Sequence, residues 1–85
     1  MFTIVYSKQA IKTKSKMPKG IAARIDSELE IIASNPATYH GNWKCLQGTP
    51  FWRLRVGDWR VICQILNNEL IIYVLKIGSR GDVYK

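Results

Sequence analysis

The sequence predicts a small α+β protein in which two N-terminal helices pack on one face of a small antiparallel sheet, in the order β-α-α-β-β-β. Three observations predict this fold: an apolar stripe at helical spacing within residues 18–35, alternating strand patterns within residues 51–66, and an apolar run at 69–77. The chain has 85 residues, of which 47% are hydrophobic, so it can bury one core. We therefore expect a single domain over residues 1–85.

The first half of the chain is predicted to be a short strand followed by two helices. Phe2–Tyr6 is apolar and β-branched, as strands are, and Ser7 suits the N-cap of a basic helix over Lys8–Lys16. Pro18 suits the first position of a second helix, and Asn35-Pro36 suits its end. The apolar stripe of this second helix consists of Ile21, Ala22, Ile25, Leu29, Ile32 and Ala33.

The second half is predicted to be a loop and three strands. The loop, Pro36–Pro50, is rich in polar and turn-forming residues, and Trp43 and Leu46 are expected to pin it to the core. Two-residue turns are expected at Gly57-Asp58 and Asn67-Asn68. The three strands are then Phe51–Val56, Trp59–Leu66 and Glu69–Ile77.

Charge and cysteine content narrow the class of protein. The net charge is +7, with 13 Lys and Arg against 6 Asp and Glu, which favours a phosphate-rich or acidic partner over a charge that serves solubility alone. Cys63 is predicted to be a core residue and Cys45 a loop thiol. The sequence has no cluster of Cys and His at the spacing of zinc ligands. We see neither a signal peptide nor an apolar run of about 20 residues, so we expect a cytoplasmic protein without a membrane partner.

Three arginines are predicted to share one face of the sheet. A two-residue turn at Gly57-Asp58 places Arg55 opposite Arg60 and Arg53 opposite Ile62. Like charges that face each other across strands are destabilising, and an anionic ligand would relieve the repulsion because guanidinium groups match phosphate oxygens. The alternative is an ordinary solvated sheet face.

Two further groups extend this basic surface. If the Asn67-Asn68 turn also spans two residues, Tyr73 opposes Ile62 and Leu75 opposes Arg60, which would give the arginines an apolar and aromatic floor on which bases stack. The other interpretation of Tyr73 is an ordinary core residue. The first helix carries lysines that we expect to contact RNA phosphates, or else to form a solvated helix face: Lys8, Lys12 and Lys16.

The run PFWRLRVGDWRVICQI, followed by YVLKIGSRGDVY, resembles the RelE branch of the RelE/ParE toxin superfamily. Asn35-Pro36 and the spacing Lys44-x-Leu46-x-Gly48 belong to the same resemblance. It implies the toxin of a type II toxin–antitoxin system, with a cognate antitoxin protein as partner. The implied activity is cleavage of messenger RNA in the ribosomal A site, without metal or cofactor, by attack of the 2′-hydroxyl on the adjacent phosphate.

The resemblance also implies a set of site residues. Arg53, Arg55, Arg60, Arg80 and Tyr84 match the catalytic positions of RelE-like toxins, and Lys44 and Phe51 are expected to contact the RNA beside them. Well-known members carry lysines where this chain has Arg53 and Arg55. Arginine remains protonated in proteins, so the two positions suit stabilisation of phosphate charge better than proton abstraction. Tyr84 is then the remaining candidate for the base or for stacking on the nucleotide.

Two other functions stay open at the level of sequence. One is a ParE-like toxin that inhibits DNA gyrase, and the other is a non-catalytic homologue that binds RNA or an antitoxin. The paired Arg53 and Arg55 and the terminal Tyr84 favour RNA cleavage.

Overall fold

A computed structural model describes residues 1–79 of the chain. The predicted site residues Arg80 and Tyr84 lie outside the described residues. The elements in chain order are β1 (Thr3–Tyr6), α1 (Lys8–Lys16), α2 (Lys19–Ser34), a 3-10 turn (Pro36–Thr38), β2 (Trp43–Cys45), β3 (Phe51–Val56), β4 (Trp59–Leu66), a second 3-10 turn (Asn67–Glu69) and β5 (Ile71–Ser79).

The five strands form one mixed sheet in the order β1-β5-β4-β3-β2. The predicted α+β class and helix-on-sheet arrangement are confirmed, but the prediction of a purely antiparallel sheet is wrong for β1. This strand pairs with β5 in parallel, with Thr3 opposite Ile71 and Tyr6 opposite Val74. The amide of Thr3 donates to the carbonyl of Leu70 (2.7 Å), and the amide of Ser7, directly after the strand, donates to that of Val74 (2.9 Å). β1 therefore covers the first half of an edge that β5 would otherwise expose.

Helix α1 continues this cover along the second half of β5. The Ser7 hydroxyl accepts from the amide of Ala10 (3.1 Å), which confirms the predicted N-cap, and donates to the carbonyl of Leu75 (2.6 Å). The Gln9 side chain then pairs with Ile77 as a strand would, since its amide nitrogen donates to the Ile77 carbonyl (3.3 Å) and its amide oxygen accepts from the Ile77 amide (3.1 Å). A side chain thus replaces the strand partner beyond the end of β1.

The core lies between α2 and the inward side of the sheet. The predicted stripe is confirmed: Ile25, Leu29 and Ile32 are fully buried, and Ile21 packs against the same cluster. The sheet contributes Leu54, Val56, Val61, Cys63, Ile72, Val74 and Ile77. Pro18 is the N-cap of α2 rather than its first helical residue, and its carbonyl accepts from the amide of Ala22 at 3.0 Å.

The predicted loop Pro36–Pro50 contains a strand that sequence reasoning missed. β2 pairs antiparallel with β3, with Lys44 opposite Arg53 and Cys45 opposite Trp52. Cys45 is therefore an exposed strand residue and not a loop thiol. The rings of Trp43 and Trp52 stack at 5.2 Å between centroids, and Trp43 packs against the core as predicted. This stack holds a strand of three residues, which is too short to show a sequence period.

The predicted register between β4 and β5 is wrong. The connection is a 3-10 turn that ends at Leu70 in the left-handed conformation (φ 53°), and not a two-residue turn. Tyr73 therefore opposes Gln64, and Gly78 opposes Arg60. The register also shifts between Ile62 and Cys63, whose partners are Lys76 and Val74, so Leu75 is the extra residue of a bulge.

Candidate functional site

One side of the sheet carries a cluster of cations. In β3, Leu54 and Val56 are buried in the core, so Arg53 and Arg55 point to the opposite side. In β4, Val61 and Cys63 are buried, so Arg60 and Gln64 point to that same side. We call this side the cationic face and define it by its charged residues: Lys44, Arg53, Arg55, Arg60 and Lys76.

The central pair of the cationic face is Arg55 and Arg60, which lie directly opposite each other as the sequence predicted. Gly57, at φ +61°, is the positive-φ residue of the connecting turn, which fits the II′ hairpin pattern. The amide of Arg55 donates to the carbonyl of Asn42 (2.9 Å) and so points away from β4. The two arginines therefore form a non-hydrogen-bonded pair, in which the Cα atoms approach to about 4.5 Å and the side chains lie closest.

Arg53 is held by a neighbour that sequence reasoning missed. Its Nη2 donates to the side-chain oxygen of Asn42 at 2.7 Å, while the backbone of the same Asn42 bonds to Arg55. The Nε of Arg53 is buried and has no hydrogen-bond partner among residues 1–79. A buried donor left unpaired costs about 1–3 kcal/mol, so the structure keeps Arg53 in place at some expense of stability.

Lysines stand on both sides of the arginines. Lys44, a predicted RNA contact, is exposed and faces Arg53 across β2 and β3. Lys76, whose place on this face the sequence did not indicate, faces Ile62 across β4 and β5. The bulge at Leu75 places Lys76 on this face, and strict alternation through the apolar run of β5 does not reveal such an insertion.

The remaining predicted contacts fall in different places. Phe51 lies on the side of the cationic face, opposite Gln64. Lys8, Lys12 and Lys16 are exposed on α1, at intervals of four residues and thus on one side of that helix, which packs along β5 and adds Ala10 to the core. The structure therefore brings Lys44 and Phe51 together with the arginines and places the α1 lysines on a separate element.

An aromatic residue does adjoin the cations, although not where the register prediction placed it. Tyr73 points to the cationic side, opposite Gln64, because Ile72 and Val74 on either side of it are buried in the core. Ile62, 5% exposed, lies between Arg53 and Lys76 and forms an apolar floor there. Tyr73 is thus not an ordinary core residue.

In the described part of the chain, acidic residues are placed away from the outward strand positions, so the cationic face is electropositive there. No Asp or Glu of residues 1–79 occupies an outward strand position of this face, and no carboxylate among them forms an ion pair with Arg53 or Arg55. No group of three or more His, Cys, Asp or Glu side chains in this part of the chain is arranged to hold a metal ion. The described part of the chain also has no helix of the length and apolar character that a membrane crossing needs.

The perturbed titratable groups lie on the helical side of the molecule. The Asp26 carboxylate accepts from Lys14 (2.7 Å) and from the hydroxyl of Tyr6 (2.6 Å), beside an open hollow of about 500 Å³. Burial opposes ionisation of Asp26, but the two hydrogen bonds outweigh it and lower its pKa. Burial, and then the bond to Asp26, raises the pKa of Tyr6.

Two other groups on the inward side have raised pKa values. Burial, and then the hydrogen bond to Glu28 (2.5 Å), raises the pKa of Tyr39 to about 12. Burial also raises the pKa of the Cys63 thiol to about 12, so this cysteine stays a neutral core residue as predicted. These groups support the fold and do not face the cations.

Comparisons with known proteins agree with the resemblance seen in the sequence. Residues 4–84 match the family model described as the ParE toxin of a type II toxin–antitoxin system, parDE. A protein named as a RelE-like toxin from Escherichia coli is 25% identical over 85 residues, which are 98% of this chain and 90% of that protein.

Solved structures match over nearly the whole chain. A chain of the archaeal RelE–RelB complex from Pyrococcus horikoshii is 27% identical, with a TM-score of 0.81 over 95% of this chain and 97% of the other. The Escherichia coli RelBE toxin–antitoxin complex matches in fold, at 15% identity and a TM-score of 0.78 over 95% of this chain and 99% of the other. With a family model that covers nearly all of its length, the chain belongs to the RelE/ParE superfamily of type II toxin–antitoxin toxins, as a RelE-like member.

Proposed function

We propose that this toxin is an endoribonuclease that cuts messenger RNA on the ribosome through its cationic face. The observation that carries the proposal is the direct opposition of Arg55 and Arg60, with Arg53 in the next row on the same side. Two arginines placed directly opposite each other on neighbouring strands repel, which does not help a sheet to fold. A phosphate between them would turn a repulsive pair into two charge-assisted contacts.

The chemistry uses the RNA itself as the source of the nucleophile. The 2′-oxygen attacks the adjacent phosphorus, the bond from phosphorus to the 5′-oxygen breaks, and a 2′,3′-cyclic phosphate and a 5′-hydroxyl remain. The 2′-hydroxyl loses its proton to a base, and the leaving 5′-oxygen gains one. Arg53, Arg55 and Arg60 are donors that stabilise the negative charge that grows on the phosphate oxygens, and the loss of one such donor commonly lowers a rate by about 10²–10³.

Ribosome dependence follows from the weakness of arginine as a base. A site made mainly of arginines stabilises charge but aligns and deprotonates the 2′-hydroxyl poorly. Alignment of the messenger by the ribosome would supply the missing positioning, an effect worth several kcal/mol. The exposed α1 lysines Lys8, Lys12 and Lys16 would then contact ribosomal RNA, outside the cutting site.

The same cationic character suits a protein partner. The solved structures that this chain matches include toxin–antitoxin complexes, and we propose that a cognate antitoxin neutralises this chain in the cytoplasm. An acidic antitoxin segment that folds on the toxin would compete with RNA for the cationic face.

A translation extract with a defined messenger tests the proposed activity. We expect cuts in the messenger only when both toxin and ribosomes are present, and we expect Arg60→Ala to lose activity while it keeps the fold by circular dichroism. The matched control is Lys19→Ala, at an exposed position where α2 begins, which should cut at the wild-type rate.

Other outcomes separate the alternatives. An intact messenger together with supercoiling defects or DNA breakage would assign a ParE-like action on gyrase. RNA binding without cleavage of either nucleic acid would identify a non-catalytic homologue.

A further inference from the structure

Beside the cations lies a row of three side chains that charge stabilisation does not use. Phe51 on β3, Gln64 on β4 and Tyr73 on β5 are direct cross-strand partners, so an amide stands between two aromatic rings. The neighbouring row on the same side of the sheet consists of Arg53, Ile62 and Lys76. The two rows are one step apart, which is the distance of two residues along β4, from Ile62 to Gln64. That step is about 6.7 Å, within reach of one nucleotide whose phosphate rests on the cations.

The backbone fixes how closely Phe51 and Gln64 approach. The amide of Phe51 donates to the Thr49 hydroxyl (3.1 Å), and its carbonyl accepts from the amide of Leu46 (2.9 Å), so both groups point away from β4. Phe51 and Gln64 are therefore a non-hydrogen-bonded pair, whose Cβ atoms lie about 4.5–5.5 Å apart.

The strand register sets the spacing between the two aromatic residues. Phe51 and Tyr73 are two strands apart, which separates their Cα atoms by roughly 10 Å. A base stacked on both sides needs about 7 Å between ring planes, twice the base spacing of about 3.4 Å. Among residues 1–79, neither ring stacks on another aromatic ring, so both ring faces are unoccupied by aromatic neighbours.

Among residues 1–79, the polar side-chain atoms in this row have no hydrogen-bond partner. Gln64 and Tyr73 are half-buried, and within the described part of the chain neither side chain makes a hydrogen bond. A half-buried amide whose donor and acceptor groups have no partner among residues 1–79 is suited to read the edge of a base.

We propose that Phe51 and Tyr73 clamp one unstacked base of the RNA and that Gln64 reads its edge, with adenine preferred. A glutamine amide presents a donor and an acceptor side by side, which match the amino group and ring nitrogen of adenine. Splayed single-stranded bases that stack on aromatic rings are the usual targets of sequence-specific RNA recognition. This inference rests on the proposed RNA substrate but not on cleavage, and it makes Gln64 a specificity residue.

A binding assay without cleavage tests it. The probes are labelled pentaribonucleotides UUXUU in which X is A, G, C, U or an abasic site, with a 2′-deoxy sugar at X so that the proposed attack cannot occur there. Fluorescence anisotropy with the full-length toxin should give tighter binding for X = A than for the abasic probe, by about fivefold or more.

Three variants distinguish base reading from general affinity. Gln64→Leu should bind the abasic probe as the wild type does and should lose the preference for adenine. Gln64→Glu should shift the preference towards guanine, which offers two adjacent donors to a carboxylate. The control Gln47→Leu, at an exposed position in the loop between β2 and β3, should keep the wild-type preference.

The results separate this inference from the proposed nuclease activity. Equal affinity of the wild type for all five probes, or an unchanged adenine preference in Gln64→Leu, would overturn base reading even if the toxin cuts messenger. If the wild type prefers adenine and Gln64→Leu loses this preference, base reading is supported even if no messenger is cut. In that case the nuclease proposal alone would fail.

Discussion

At the scale of single residues, the cationic face places charges where they do not help folding. Arg55 is exposed and lies opposite Arg60, and Arg53 keeps an unpaired buried Nε among residues 1–79. Residues that lower stability in this way are typical of functional sites, where the arrangement serves a ligand. Substitutions at these positions should therefore move stability and activity in opposite directions.

Arg55→Thr should show this opposition. Threonine suits an exposed strand position and removes the repulsion, so we expect the free energy of unfolding to rise by about 0.2–1 kcal/mol in low salt. Activity in the translation extract should fall by about tenfold or more, since a phosphate contact is lost. Urea denaturation and the cutting rate are the two measurements, and a stability loss above 1 kcal/mol would show that Arg55 supports the fold instead.

Asn42 should act as a positioning residue for Arg53. Asn42→Ala removes the acceptor at 2.7 Å from the guanidinium, while its backbone bond to Arg55 can remain. We expect a several-fold lower cutting rate at saturating messenger with a stability loss of about 0.5–1.5 kcal/mol. Asn42→Asp, which keeps an acceptor, should restore part of the rate.

The matched control for Asn42 is Asn68→Ala, in the exposed turn before β5. It should change neither the rate nor the stability. A wild-type rate in Asn42→Ala would remove Asn42 from any role in placing Arg53.

At the scale of elements, Gln9 is expected to contribute more to the free energy of unfolding than an exposed helix residue usually does. Gln9→Ala leaves both the amide and the carbonyl of Ile77 without their partner at the edge of β5. We expect a loss of about 1–3 kcal/mol in the free energy of unfolding by urea, because backbone groups are left unsatisfied. Gln47→Ala is the control, and an equal, small change in both variants would show that water replaces the Gln9 side chain at no cost.

Tyr39 links the loop after α2 to that helix through its hydrogen bond to Glu28. Because of this tyrosine, the free energy of unfolding should fall at alkaline pH. Because its pKa rises from 10.0 unfolded to about 12 folded, its contribution is fully present below pH 10 and is lost as the pH rises towards 12. Tyr39→Phe should therefore flatten the decline of the unfolding free energy between pH 10 and 12. Parallel declines in both proteins would show that folding does not raise the pKa of Tyr39.

The elements also show which parts of the fold the sequence predicts and why. β3, β4 and their register are predicted correctly because Gly57-Asp58 fixes a two-residue turn and alternation then assigns each face. β2 is missed because three residues carry no period and the stack of Trp43 on Trp52 is a tertiary contact. Lys76 and the partner of Tyr73 are missed because a left-handed Leu70 and a bulge at Leu75 reset the register, and a continuous apolar run marks neither.

At the scale of the whole molecule, the cations fall into two groups. One group is the cationic face of the sheet, and the other lies on the helices, where α1 carries four lysines and α2 carries Lys19 and Arg24. Three of the six acidic residues, Asp26, Glu28 and Glu30, also belong to α2, whereas no Asp or Glu among residues 1–79 occupies an outward strand position of the cationic face. Both groups therefore attract a polyanion, and the carboxylates of α2 weaken the attraction on the helical side.

The salt dependence of RNA binding should reveal this division. Each phosphate contact contributes about 0.7 to the slope of log K against log salt for single strands, so Lys44→Ala should lower the slope for the pentaribonucleotide by about 0.7. Lys12→Ala, on α1, should leave that slope unchanged, because a short strand on the sheet does not reach the helix. With ribosomes as the target both substitutions should weaken binding, and equal losses in both variants with the short strand would show that the RNA does not lie on the cationic face.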